Sequence, residues 1–372
     1  MRMSVLIVLA LLTAACGHGP GPRTLLVHAP IHPGAQAPVT LSVTADDKDG
    51  VASIEIWEER NTFQPCEDGG ICAAGGTRTM VKACDFPKPA KSATCDVIVR
   101  EGYPDRSFIG YSALAKDRHG NESPEDWVYF AAGMFPWPDR PIPVYVSASP
   151  EKAIDLVVIP DPASLEKPDV YGDDVTMLIR DTFLGPSPPA EELRNGRRFW
   201  NFYVTYHAAP GGKDGRCPSA PANWARLRGV VDVGLILRRG PAADCIGLGP
   251  GALITSGMPS GPAPIHALGH TIFRLADEYC CDGVYWQAEQ HPNIFATKAA
   301  CRDHAGARDW PVADCVAISP LSWWRTAGAT GWYRADKHAD LMGDLENTEA
   351  RHGRADRVRI QAVYDQCRDG RC

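Results

Sequence analysis

The distribution of cysteines sets the strongest limit on how this chain can fold. The sequence contains 13 cysteines; beyond Cys16, four lie in the first third and eight lie after residue 216, so both groups are even. Even numbers are expected when each domain closes its own disulfides in an oxidising compartment. The pairing stays open, but three pairs lie close enough in sequence to favour local bridges: Cys66 with Cys72, Cys84 with Cys95, and Cys367 with Cys372.

The N-terminus has the pattern of a bacterial secretion signal. Arg2 precedes an apolar run, Val5–Leu12, which is too short to span a bilayer. Small residues then precede Cys16 as in a lipobox, although Thr13 stands where leucine is usual. We therefore expect a signal peptide over 1–15, a lipid on Cys16 that anchors the chain to the membrane, and an exported lipoprotein of the cell envelope, in the outer membrane or facing the periplasm. The alternative is an ordinary cleaved signal with an incidental cysteine.

Length and charge limit the classes of protein and partner. The chain has 372 residues, enough for two domains with substantial cores. Its formal net charge is −7, and it contains no run of lysine or arginine. Nucleic acid is therefore not an expected partner.

The first predicted domain follows a short tether at 16–23 and covers 24–132. Its short runs of alternating apolar and polar residues, such as "PVTLSVTA" and "VASIEIWEE", are separated by turn signals, including the one at 46–50. This pattern predicts an antiparallel β-sandwich. The phrases "ADDKDGVASIEIW" and "YSALAKDRHGNES" resemble bacterial immunoglobulin-like modules, which space or present a second domain.

A second domain is predicted over 154–372, after a proline-rich linker at 133–153. It begins with "AIDLVVIPD", an apolar and β-branched run that suits a buried strand. The order of strand and helix patterns that follows indicates a mixed α/β domain.

The segment "PIHALGHTIFRLADEY" (264–279) carries the clearest chemistry. Pro264 suits the first turn of a helix, and His266 and His270 are four residues apart, so they project from the same side of that helix. Two imidazoles placed in this way can share a Zn²⁺ ion at about 2.0–2.1 Å, and a catalytic zinc needs a third protein ligand and an open position. Asp277 and Glu278 follow directly.

This segment resembles the zinc helix of the bacterial IgA-peptidase-like zinc metallopeptidases, in which H-E-x-G-H is followed by Leu-x-Asp-Glu-Tyr. The resemblance implies a zincin-like metallopeptidase domain with zinc on His266, His270 and Asp277, supported by Glu278 and Tyr279. Two later segments, "HPNIF" and "GWYRADKHADLM", resemble the family's Pro-Asn segment and its stretch leading to a methionine. That likeness places Met342 beneath the metal.

The sequence departs from this family at Ala267, where the family has its glutamate. That glutamate takes a proton from the metal-bound water, a step typically worth about 10²–10⁴ in rate. Glu278 is a poor substitute because adjacent side chains point in different directions, although Asp336 or Asp340 could approach from the later loop. Tyr333 is a weak candidate for a hydrogen-bond donor to a substrate oxyanion, and simple packing is an alternative role for Tyr279.

Three functions are compatible with these patterns, and enzymatic activity stays open. The first is an exported lipoprotein resembling a zinc metalloendopeptidase, with hydrolysis of its protein or peptide substrate reduced or lost at Ala267. The second is a non-catalytic module that binds a peptide or protein at the cell surface. The third is a structural envelope protein without metal. Ala267 itself fits a natural pseudoenzyme, a deliberate knockout, or slow hydrolysis by another base.

Overall fold

A computed structural model of the chain reveals a sheet-rich protein with several sheets and few helices. It describes residues 21–31, 33–60, 63–65, 71–73, 77–104, 107–132, 141–211, 217–238, 245–247, 251–257, 259–278, 291–318, 332–338, 340–343 and 349–372. The predicted signal peptide, the lipid site at Cys16, Tyr279 and the bridge from Cys66 lie outside these residues.

The first part of the chain forms one five-stranded antiparallel sheet in the order β1-β2-β6-β7, with β5 on β2. Its strands are β1 (Arg23–Ala29), β2 (Val39–Arg60), β5 (Thr77–Val99), β6 (Ser107–Asp117) and β7 (Asp126–Ala132), and β3 (Phe63–Pro65) and β4 (Ile71–Ala73) form a separate hairpin. The antiparallel strands agree with the alternating sequence pattern, whose apolar residues face a buried side.

The two long strands explain why one sheet stands where two packed sheets were predicted. β2 pairs with β1 through its first half and with β6 through its second half, while β5 follows it along both. The pairing between β2 and β5 shifts register twice between residues 46 and 53 of β2. The predicted turn at 46–50 is thus an irregularity inside a strand. The Cys84–Cys95 disulfide joins the two sides of the matching irregular part of β5.

The second part of the chain is built on a mixed sheet in the order β12-β11-β9-β10-β8. Its strands are β8 (Ile142–Tyr145), β9 (Ile154–Pro160), β10 (Trp200–Val204), β11 (Val233–Leu237) and β12 (Ala252–Ser256). β9 lies at the centre, parallel to β10 and β11, and all of its residues are buried, as the sequence predicts for a strand covered on both faces.

Part of the predicted linker is a strand of this sheet. β8 pairs antiparallel with β10 at the sheet edge. Tyr129 of β7 also bridges to Val146 just beyond β8. The proline-rich composition favoured a linker, but proline is tolerated at a sheet edge, where one side of the strand needs no ladder hydrogen bonds.

Helices and a small third sheet complete the described fold. The helices are α1 (Pro162–Leu165), α2 (Pro168–Thr176), α3 (Glu191–Asn195), α4 (Trp224–Leu227), α5 (Ala263–Thr271), α6 (Lys298–Gly306) and α7 (Arg354–Arg368). The small sheet has the order β13-β15-β14, from β13 (Ile294–Phe295), β14 (Val316–Ala317) and β15 (Tyr333–Arg334).

Four disulfides are present among the described residues: Cys84–Cys95, Cys217–Cys245, Cys301–Cys315 and Cys367–Cys372. Two of the three predicted local bridges, Cys84–Cys95 and Cys367–Cys372, are therefore confirmed. Disulfides on this scale indicate an extracellular or periplasmic protein. No helix in the described ranges has both the length and the apolar character needed to cross a membrane.

Candidate metal centre

Helix α5 carries both histidines, as the sequence predicts. It runs from Ala263 to Thr271 with a proline in its first turn. His266 and His270 are 4% and 1% exposed, so both imidazoles lie inside the protein rather than on a solvated helix face. The apolar residues of α5 pack into the main core, which fixes the rotation of the helix and hence the direction of both rings.

The end of α5 turns the chain back towards the histidines. The Leu275 N–H donates to the Gly269 carbonyl over 3.0 Å, and Arg274 has a φ of 55°. Arg274 lies three residues beyond the last residue of α5, and its left-handed conformation reverses the chain there. The reversal brings Asp277 back to 3.1 Å from both imidazoles, whereas on a continuous helix it would lie about 10 Å further along the axis than His270.

Three ligand atoms meet at this point. The Nε2 atoms of His266 and His270 are 2.9 Å apart. Oδ1 of Asp277 lies 3.1 Å from each of them. The structure therefore brings together the three residues predicted as metal ligands, and this group could hold a metal ion.

The hydrogen bonds on the far sides of the rings determine what the near sides can do. Nδ1 of His266 faces the Leu341 carbonyl at 3.0 Å, and Nδ1 of His270 faces the Leu275 carbonyl at 2.8 Å. A carbonyl accepts only, so each Nδ1 carries the hydrogen and, in a neutral ring, each Nε2 presents a lone pair. Oδ1 of Asp277, also buried, then has no donor. Three converging lone pairs need a cation or a proton between them.

The charge of Asp277 fits a ligand. Burial is the largest influence on this carboxyl and raises its pKa, but when a proton occupies the Nε2 side of the rings, hydrogen bonds and charge from His266 and His270 together outweigh burial and hold the pKa of Asp277 below its ordinary value. The group is therefore an ionised carboxylate at neutral pH.

The spacing of the ligand atoms also fits a small divalent ion. Three atoms that each lie about 2.0–2.1 Å from one tetrahedral ion are about 3.3–3.4 Å from one another. The observed separations of 2.9–3.1 Å need to widen by only a few tenths of an ångström. Two imidazoles and one carboxylate form the kind of donor set found at catalytic zinc sites.

Asn293 holds the segment that carries Asp277, and the sequence analysis did not single it out. Its side-chain amide donates to the Ala276 carbonyl over 2.8 Å and accepts from the Ala276 N–H over 2.9 Å. Asn293 is fully buried. The only sequence signal for this role was the likeness of "HPNIF" to the family's Pro-Asn segment.

Met342 packs against the zinc-helix candidate α5 from a neighbouring turn. A Cβ added at Gly269 would lie 2.7 Å from the Met342 sulfur, so this close approach requires glycine, which has no Cβ. The Met342 carbonyl also accepts from the Glu278 N–H over 2.9 Å. The turn at 340–343 thus supports both α5 and the ligand segment.

No carboxylate replaces the missing base among the residues that the structure describes. Ala267 is 3% exposed and offers only a methyl group. Asp340 bonds the Met342 N–H, and Oδ1 of Asp336 accepts from the His338 N–H. Glu278 points away from the imidazoles, with Oε2 3.6 Å from Arg334. Across the described ranges, no fourth His, Cys, Asp or Glu joins the three-ligand group.

Tyr333 lies in β15 and packs against the cluster around the Cys301–Cys315 disulfide. Its strand pairs with Phe295 and Ala317. These contacts pack Tyr333 into the small sheet and provide no support for an oxyanion role.

Comparisons with known proteins add little. No protein-family model and no curated protein matches the chain. Among solved structures, the sensor domain of an anti-sigma factor from Pseudobacteroides cellulosolvens is 8% identical over 31% of this chain and 96% of that domain, with a TM-score of 0.21. A superoxide reductase from Ignicoccus hospitalis is 9% identical over 30% of this chain and 79% of the reductase, with a TM-score of 0.20. Vertebrate Astrotactin-2 is 10% identical over 47% and 31%, with a TM-score of 0.21. Scores this low carry no argument about fold or function.

Proposed function

We propose that this chain is an exported zinc-binding protein built on a metallopeptidase-like domain, with peptide hydrolysis strongly reduced by the alanine at position 267. One observation carries the proposal: the buried triangle formed by His266, His270 and Asp277. A structural protein without metal gives no reason to place three lone-pair donors within 3.1 Å of one another in a core.

Zinc is the ion that this donor set favours. Imidazole nitrogen with one carboxylate oxygen suits Zn²⁺ better than Ca²⁺ or Mg²⁺, which prefer oxygen throughout. When bound, zinc lowers the pKa of a coordinated water towards about 7 and polarises a carbonyl. The carbonyl partners of both Nδ1 atoms would orient the rings as ligands, a contribution typical of the residues around a metal site.

Ala267 limits what these residues can do. Peptide hydrolysis needs a group that takes a proton from water and gives it to the leaving amine. The methyl of Ala267 can do neither, and Glu278 is turned towards other partners. We infer a loss of rate of about 10²–10⁴ relative to a complete site.

We further infer the setting of this domain. The antiparallel unit at 24–132 would act as an accessory immunoglobulin-like module that presents the second unit, and the lipid on Cys16 would attach both to the bacterial envelope. The four disulfides support an oxidising location but do not identify the anchor.

The test combines zinc content with a paired activity assay on the same samples. Wild type, Ala267→Glu and Ala267→Gln are compared on a fluorescently labelled unfolded protein. Glutamine matches the size of glutamate but cannot shuttle protons. We expect about one zinc per chain in all three and cleavage at least about 100-fold faster in the Glu variant than in the other two.

Two results would contradict the proposal. Cleavage by wild type as fast as by Ala267→Glu would show that no base is missing. A zinc content below about 0.2 per chain after gentle purification would favour a protein without the metal.

The intact ligand triangle beside a missing base also favours a second function, binding without cleavage. In that case zinc would be present and none of the three proteins would cleave, while all of them would bind the labelled chain. Chelation of zinc would then weaken binding of the labelled chain. This result would distinguish binding at the metal site from binding at another surface of the protein.

A further inference from the structure

A second group of ligand-type side chains lies behind the candidate metal centre. Glu278, Asp340 and Asp356 come from three separate segments: the ligand segment, the turn at 340–343 and the first turn of α7. Each contributes a carboxylate oxygen to a group whose members lie within 4.8 Å of one another. Their exposed fractions are 5%, 6% and 0%.

One oxygen of each carboxylate is used in supporting the fold. Oδ1 of Asp340 accepts from the Met342 N–H over 3.0 Å, and Oδ2 of Asp356 accepts from the Gly353 N–H over 3.1 Å. Oε1 of Glu278 accepts from the Asn293 amide over 3.3 Å. These bonds fix the three side chains and direct their second oxygens towards a shared space.

The second oxygens lack donors. Oε2 of Glu278, Oδ2 of Asp340 and Oδ1 of Asp356 are buried, and no N–H or hydroxyl donor of the described residues reaches them, although the carboxyl groups of Glu278 and Asp340 lie within hydrogen-bond reach of each other. Buried carboxylates without partners are costly. The cluster therefore requires either shared protons or a cation.

The positive groups nearby, Arg334, His352 and Arg357, hydrogen-bond none of the second oxygens. Nη1 of Arg334 lies 3.6 Å from Oε2 of Glu278, beyond a hydrogen bond. His352 is buried and close enough to Asp340 to oppose the effect of burial on its pKa. Its Nδ1 faces Glu192 at 3.1 Å, while its Nε2 has no partner in the described part of the chain. This buried ring nitrogen is a further polar atom close to Asp340 that no described residue satisfies.

We propose that Glu278, Asp340 and Asp356 bind a Ca²⁺ ion. An all-oxygen donor set suits a hard cation. Ca²⁺ takes oxygen ligands in a flexible geometry, whereas Mg²⁺ demands a near-ideal octahedron and usually keeps several waters. Three carboxylates buried in the core leave little room for that shell of water, so the group favours Ca²⁺.

The backbone also leaves room for these oxygens. A Cβ at Gly353 would lie 2.0 Å from Oδ2 of Asp340, so only glycine permits this arrangement. The ion would join α7 and the turn at 340–343 to Glu278, the residue after Asp277. It would thus be a structural ion behind the histidine site, and the inference does not depend on whether that site binds zinc or hydrolyses peptides.

The test measures Ca²⁺ binding by the full chain with zinc supplied in excess, so that the histidine site is not available to Ca²⁺. Wild type is compared with Asp356→Asn, whose amide oxygen can keep the Gly353 bond. The matched control is Asp336→Asn, which changes a carboxylate that is not part of the cluster and that accepts from the His338 N–H. We expect about one Ca²⁺ per chain in wild type and control, and binding at least about tenfold weaker in Asp356→Asn.

Two further arms keep the result decisive. His270→Ala should retain Ca²⁺ binding. If His270→Ala loses Ca²⁺ binding while Asp356→Asn keeps it, the ion binds at the histidines and the proposal is wrong. If Asp356→Asn does not fold, the wild-type Tm decides the question: we expect it to rise with 1 mM Ca²⁺ and to rise less with 1 mM Mg²⁺. Folded wild type that neither takes up Ca²⁺ nor changes its Tm would show that shared protons satisfy the cluster.

Discussion

At the scale of single residues, the candidate metal site depends on side chains that touch no metal ligand atom. Asn293 pairs with both backbone groups of Ala276 and so fixes the segment that places Asp277. Its replacement by alanine would leave a buried N–H and a buried carbonyl without partners, each costing about 1–3 kcal/mol.

We therefore expect Asn293→Ala to bind zinc about 10- to 100-fold more weakly than wild type, the range seen when residues that orient metal ligands are removed. Competition with a chromophoric chelator measures the affinity. Asn195→Ala, at an exposed position of α3, is the control and should match wild type. Equal affinities for Asn293→Ala and wild type would show that Asp277 is positioned without this clamp.

Asp155 in β9 makes a prediction about pH. Burial raises its pKa to about 8, against the hydrogen bond from Asn201 and with a contribution from the charge of Asp232. Between about pH 4 and 8 the folded chain therefore keeps a proton on Asp155 that the unfolded chain has lost. Folding takes up a proton in this window, so the free energy of unfolding falls as pH rises through it.

The expected slope is up to about 1.4 kcal/mol per pH unit from this group. Urea unfolding of wild type and Asp155→Asn at pH 5, 6 and 7 measures it, since asparagine keeps the volume without a titrating proton. The difference in stability between the two proteins should change with pH in the stated sense. A constant difference would mean that Asp155 is ionised in the folded chain.

At the scale of elements, the end of α5 decides where Asp277 lies. Arg274 adopts a φ of 55°, a conformation that costs a residue with a Cβ more than glycine. Its side chain is exposed, so its removal disturbs no packing. We expect Arg274→Gly to stabilise the chain by about 0.5–1 kcal/mol.

The same substitution inside a helix should have the opposite effect. Arg302 is exposed within α6, where glycine costs about 1 kcal/mol relative to a good helix former. Chemical unfolding of the two variants compares them directly. If Arg274→Gly is as destabilising as Arg302→Gly, Arg274 does not have a left-handed conformation in the native chain.

At the scale of the whole molecule, the two parts of the chain share one core. The Ile31 N–H donates to Thr176 Oγ1 over 3.1 Å, and Arg197 lies 3.5 Å from Asp126, so bonds cross between the parts at more than one place. One apolar cluster also includes buried residues from both sheets. We expect a single calorimetric unfolding transition, with calorimetric and van't Hoff enthalpies in agreement. Two separate transitions would show that the two parts unfold independently, as expected of domains joined by the linker that the sequence predicted.

Much of the chemistry could be predicted from the sequence because it depends on short spacing. Four residues on a helix place His266 and His270 on one side, and alternation along strands marks their buried faces. The buried strand β9 and two local disulfides follow from equally local patterns. The alanine at 267 is likewise a local fact, and it alone motivates the prediction of weakened hydrolysis.

Tertiary structure decided everything that depends on residues distant in sequence. The return of Asp277 needs a helix end that no spacing rule specifies, and the Asn293 clamp, the Gly269–Met342 contact and the acidic cluster each join separate segments. The strand inside the predicted linker and the single five-stranded sheet also depend on pairing between distant segments. Composition and periodicity report on neighbours along the chain, whereas burial and hydrogen-bond partners are set by the packing of distant segments.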